Sequence, residues 1–110
     1  MPYVCIFEDD AYPQDNIYEI IDDYLNAIPY DANLVLLGFS SYNKTQQIIT
    51  KPFNKITTGT ISGAHAYILF QSAYDDYLKY FNDKTHKRIA DCYVFQAIKN
   101  SYVIDYPLFI

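Results

Sequence analysis

Tyr3-Val4-Cys5-Ile6-Phe7-Glu8-Asp9-Asp10 is the stretch on which the reading of this chain turns. Five apolar residues without interruption are the pattern of a short strand buried on both faces. They run straight into three carboxylates. Like charges this close repel, so a strand end that carries three of them loses stability unless a cation neutralises them. In open α/β sheets, ligands collect in the crevice outside the carboxyl ends of the strands. Side chains two apart in an extended segment share a face, which makes Glu8 and Asp10 candidate ligands of one cation, with Asp9 directed elsewhere. Mn²⁺ or Mg²⁺ suits such hard oxygen donors and keeps positions open for substrate phosphates. The competing reading is an exposed acidic turn, in which Asp10 and Asp15 only favour the amino end of the next helix.

Downstream of the triplet, Asp15 is placed to cap a helix. Ile17, Ile20, Ile21, Tyr24, Leu25 and Ile28 then recur at helical spacing, an apolar stripe that leaves Asp22 and Asp23 in solvent and stops at Pro29. Leu34-Val35-Leu36-Leu37-Gly38 reads as a second buried strand. The polar stretch from Ser40 to Asn54 reads as a loop or short edge ribbon around Ile48 and Ile49. An extended piece follows over Lys55 to Ile61, and His65-Ala66-Tyr67-Ile68-Leu69-Phe70 reads as a strand. Ser72 with Asp75 resembles a capping box that opens a helix through Tyr74, Tyr77, Leu78 and Phe81. Asp91 is placed to cap a last helix to about Asn100, and Ser101 to Ile110 closes the chain as an extended segment. Strands alternating with helices predict an α/β architecture, a mixed sheet flanked by helices, in one domain spanning residues 1–110.

Composition narrows the partners. A net charge of −5 argues against nucleic acid, whose phosphates need clustered Lys and Arg. The one local basic group is Lys84, His86, Lys87 and Arg88, which leads into Asp91. Thirteen Tyr and seven Phe, with no Trp, suit a core that opens onto a wet cleft. Cys5 and Cys92 have no neighbour at metal-ligand spacing, so both read as reduced thiols of a cytoplasmic protein. No run approaches the roughly 18 apolar residues of a membrane span. A Gly-flanked nucleophilic Ser and a Gly-rich phosphate loop are both lacking.

Cys5-Ile6-Phe7-Glu8-Asp9-Asp10-Ala11, then Leu36-Leu37-Gly38, then Gly63-Ala64-His65-Ala66-Tyr67-Ile68-Leu69 with Ser72-Ala73, and finally Ala90-Asp91, stand in an order that resembles glycosyltransferase family 25. That family contains the lipooligosaccharide and collagen galactosyltransferases. The resemblance covers Val4 to about Pro107. It implies a partial GT-A-like fold and a nucleotide-sugar donor such as UDP-galactose. The acceptor would be a glycan or another hydroxylated molecule, and the divalent metal would lie at the acidic motif. By position, Glu8 and Asp10 would hold the metal, Asp9 and His65 would lie on the donor side, and Asp91 would be the base that takes the acceptor's proton. Ala90 departs from the proline common there in the family. The strand and helix that precede the acidic motif in the family have no counterpart between Met1 and Glu8, so the expectation is a core lacking the amino-terminal nucleotide-binding portion.

Two other classes stay open at this level. A non-catalytic binding or assembly module would keep the fold, lose the donor site and join a second copy or a partner chain through an open sheet edge. A metal-dependent phosphohydrolase would need more carboxylates converging on the same cation.

Overall fold

The computed structural model describes residues 2–43, 49–50, 52–56, 60–62, 64–82 and 98–110. Eight strands and two helices occur among them: β1 (Tyr3–Phe7), α1 (Ile17–Asn26), β2 (Leu34–Gly38), β3 (Ser41–Asn43), β4 (Ile49–Thr50), β5 (Phe53–Lys55), β6 (Thr60–Ser62), β7 (Ala66–Phe70), α2 (Tyr74–Asn82) and β8 (Ser101–Ile104). Six strands form one sheet in the order β1-β7-β2-β8-β5-β4, and β3 pairs with β6 in a separate ribbon. The sheet is mixed: β2 and β8 are parallel, while β7 runs antiparallel to both β1 and β2.

Alternation along β2 shows how the layers are built. Leu34 and Leu36 join Leu69, Val103, Ala73 and Tyr80 under α2, whereas Val35 and Leu37 join Ile17, Ile68, Phe53 and Ile104 under α1. A helix therefore covers each face, as the alternation of strands and helices predicts for an α/β domain. All five residues of β2 are buried, because strands flank it on both sides and helices cover both faces. Asp22 and Asp23 lie in solvent, as the stripe on α1 requires.

Three local expectations change. The run Tyr3–Phe7 is not a central strand buried on both faces. Among the described residues it is the outermost strand of the sheet, paired with β7 alone, and four of its five residues are exposed. The helix expected from Asp15 begins at Ile17 after Asn16, without a side-chain cap. The Ser72 hydroxyl does not close a capping box. It donates to Asn33 Oδ1, and a 3₁₀ turn over Gln71–Ala73 leads into α2. Of the last helix expected from Asp91, residues 91–97 lie outside the described part, and Ile98, Lys99 and Asn100 form a bend and turn, with Asn100 at φ 58°. No helix among the described residues is long and apolar enough to cross a membrane.

Candidate functional site

The three strands β1, β2 and β8 point the same way, so their carboxyl ends share one end of the sheet. Glu8-Asp9-Asp10 leaves β1 there, Phe39-Ser40 leaves β2, Asp105 follows β8, and Ala64-His65 enters β7 at the same end. The acidic triplet therefore stands where open α/β sheets gather their ligands.

Its backbone is held from the neighbouring strand. The Glu8 N–H donates to the His65 carbonyl at 2.9 Å, and the Ala11 N–H donates to the Glu8 carbonyl at 3.1 Å, closing a tight turn over Asp9 and Asp10. The His65 N–H in turn donates to the Gly38 carbonyl at 3.0 Å. One chain of main-chain bonds thus runs from the acidic turn through His65 to the end of β2. His65 itself is buried, and its Nε2 lies 3.3 Å from the Phe109 carbonyl. A carbonyl can only accept, so this contact requires the tautomer with hydrogen on Nε2.

The carboxyl-terminal segment completes the platform. Leu108 N–H donates to the Leu37 carbonyl at 2.9 Å, and Tyr12 and Ile110 exchange bonds of 2.9 and 2.7 Å. Gln14 adds a main-chain bond to Leu108 and a side-chain bond to the Pro107 carbonyl. The loop that follows the triplet is thereby stitched to the last three residues, and Phe109 stacks edge-on against Phe7 at 5.0 Å.

Gly38 explains the close fit. A Cβ built there would lie 2.9 Å from His65 Cδ2, Phe109 Cβ and the Phe109 carbonyl oxygen. A glycine at a strand end marks close approach of another backbone, so Gly38 was findable in the sequence, although what approaches it was not. Phe109 and the pairing of Tyr12 with Ile110 gave no local signal at all.

Glu8, Asp9 and Asp10 are all exposed. Of the lysines among the described residues, Lys55 pairs with Tyr102 and Lys99 precedes β8, both at the opposite end of the sheet from the triplet. No group of three or more His, Cys, Asp or Glu side chains converges as a metal cage among the described residues. Because a turn, not an extended segment, carries Asp9 and Asp10, the alternation expected to set Glu8 and Asp10 on one face does not apply; an ion of the Mg²⁺ type, which keeps several waters, needs only one or two protein carboxylates. Asp91, Cys92 and the basic group from Lys84 to Arg88 lie outside the described residues, so the structure brings together only Glu8, Asp9, Asp10 and His65. A comparison of the chain with protein-family models, curated proteins and solved structures finds no match.

Proposed function

We propose that the chain is the metal-binding, acceptor-side core of a nucleotide-sugar-dependent glycosyltransferase of the GT-A type, using Mn²⁺ or Mg²⁺ to transfer a hexose such as galactose. The observation that carries this reading is the seating of Glu8-Asp9-Asp10 on the shared carboxyl-end rim of β1, β2 and β8, anchored through the Glu8 N–H to His65. Glu8 and Asp10 would hold the cation through carboxylate oxygens. When bound, the cation supplies neutralisation of the charge that builds on the departing nucleoside diphosphate. Asp9 is on the donor side. His65 has a positioning part, since its carbonyl fixes the turn and its ring is engaged with Phe109. Asp91 is assigned as the base that accepts the proton of the attacking hydroxyl, while the bond from the sugar to the diphosphate breaks.

Thermal denaturation tests the reading. Mn²⁺ together with UDP or UDP-galactose should raise Tm with ligand concentration, because a ligand that binds only the folded chain stabilises it. Asp10→Ala should remove that rise and keep the circular dichroism of the parent. A Tm indifferent to every metal and nucleotide contradicts the proposal. The exposed outer strand supports a second reading, a non-catalytic assembly module, for which that indifference is the expected result.

A further inference from the structure

We propose that the outer edge of β1 and the apolar groove beside it form a self-complementary interface with a second copy of this chain, β1 pairing antiparallel to its copy about a twofold axis at Cys5. This goes beyond the enzymatic reading and does not depend on it.

The hydrogen-bond phase of β1 is the first support. Glu8 donates to the carbonyl of its register partner His65, and Gln71 donates to the carbonyl of its register partner Pro2. Hydrogen-bonded and non-hydrogen-bonded pairs alternate along an antiparallel ladder, so Val4 and Ile6 also bond inward to β7. Tyr3, Cys5 and Phe7 therefore turn their N–H and C=O groups outward, and among the described residues no strand meets them. Centred on Cys5, antiparallel self-pairing sets Tyr3 against Phe7 of the copy and Cys5 against Cys5. Every outward donor and acceptor then finds a partner, with no register left over.

The edge also lacks the usual protection. Exposed edges are normally blunted by Lys, internal Pro or a bulge. Tyr-Val-Cys-Ile-Phe has no charge and no proline, and its register with β7 is unbroken.

Side chains supply the third argument. Tyr3, Cys5 and Phe7 line one wall of a groove of about 440 Å³ whose other wall includes Ile21, Leu25 and Tyr30 from α1 and the turn after it. The helix stops short of covering β1. Tyr3 is 58% exposed, Phe7 50%, Val4 44%, Leu25 39% and Tyr30 100%. Val4 points to the other face of the sheet, and aromatic side chains of this size carry about 150–250 Å² each, so Tyr3, Phe7, Leu25 and Tyr30 offer roughly 500 Å² per copy on the groove side. Doubled by symmetry, that is about 1,000 Å², the area a specific interface needs to clear. An axis normal to the sheet would set the two grooves side by side on the same face.

Charge selects the direction. Parallel pairing would set the two Glu8-Asp9-Asp10 triplets next to each other, whereas antiparallel pairing sends them to opposite ends of the joint. The net charge of −5 on each copy still opposes association, so added salt should tighten the dimer.

Sedimentation equilibrium of the 110-residue chain over graded concentrations is the test. The expected mass is twice the 12.8 kDa of the chain, with a dimer fraction that rises with salt. In a Cys92→Ser background, a short bis-maleimide should couple Cys5 to Cys5 across the joint, and Cys5→Ser should remove that product. Cys5→Lys should return the mass to one chain. Should that variant fail to fold, Tyr30→Glu, at a fully exposed rim position, should raise the dimer dissociation constant at least tenfold. A chain that stays monomeric at hundreds of micromolar overturns the proposal, and so does a dimer that neither couples through Cys5 nor responds to Tyr30→Glu.

Discussion

The ring of His65 lies directly on the backbone of Gly38, so close that a single added methyl on Gly38 would meet His65 Cδ2 at 2.9 Å. The same methyl would meet the Phe109 carbonyl oxygen at 2.9 Å, and a main-chain atom cannot swing aside as a flexible side chain can. Gly38→Ala should therefore destabilise the fold by about 1–3 kcal/mol, the usual cost of overfilling a packed site. For a domain of this size each kcal/mol lowers Tm by roughly 4–8 °C. Urea or thermal unfolding reads the loss. An unchanged Tm would mean that His65 and Phe109 do not pack on Gly38 as described.

Tyr102 gives the fold an alkaline limit. Its hydroxyl donates to Asp31 Oδ1 at 2.9 Å, and burial, followed by that bond and the Asp31 charge, pushes its pKa up to about 12. An unfolded tyrosine ionises near pH 10. Between about pH 10 and 12 the unfolded chain has lost this proton and the folded chain keeps it, so folding stability falls as pH rises and is whole below pH 10. Tyr24, raised by burial and its bond to Asp105, acts in the same direction. Unfolding free energy measured from pH 8 to 11.5 should decline less steeply in Tyr102→Phe than in the parent. Parallel curves would count against the Asp31 contact.

Asn33 joins three elements and should be sensitive for that reason. Its Nδ2 donates to the Lys99 carbonyl at 2.7 Å, its Oδ1 accepts from Ser72, and its main-chain carbonyl accepts from Phe70. Asn33→Ala removes the two side-chain bonds. Each contributes about 0.5–1.5 kcal/mol, so chemical denaturation should show a loss of about 1–3 kcal/mol, with Ser72→Ala costing less. Equal stability of all three chains would contradict the network.

The acidic turn should trade stability for binding. Neutralising Asp9 or Asp10 removes like-charge repulsion, so Asp10→Asn should melt above the parent in metal-free buffer and gain less from Mn²⁺. Sites built for ligands are often suboptimal for the empty fold. Differential scanning calorimetry with and without Mn²⁺ measures both shifts. A variant that melts lower than the parent when metal-free would contradict the repulsion.

What the sequence reveals of this fold depends on how local each feature is. Leu34–Gly38 is legible because an apolar run at the centre of a sheet is buried on every side. Tyr3–Phe7 has the same pattern and lies at the edge. A one-dimensional run cannot tell the two apart, since the difference is whether a distant strand pairs on one side or both. Ser72 followed by Asp75 reads locally as a cap, yet Asn33, far back in the chain, takes the hydroxyl. The same division holds at the candidate site. The placement of Glu8-Asp9-Asp10 at a strand end follows from the abrupt change after Phe7. The anchoring of that turn by His65, and the return of Leu108–Ile110 to the loop at Tyr12–Gln14, are long-range contacts that no short motif encodes.

Whether the Glu8-Asp9-Asp10 turn seats a divalent cation is read most directly by amide NMR with substoichiometric Mn²⁺. Paramagnetic broadening should concentrate at residues 8–11 and at their neighbours Phe39, Ala64 and His65, reverse with excess Mg²⁺ and vanish in Asp10→Ala. Broadening that is absent, or centred on Asp22-Asp23 or Asp75-Asp76 instead, would contradict a cation seated at this turn.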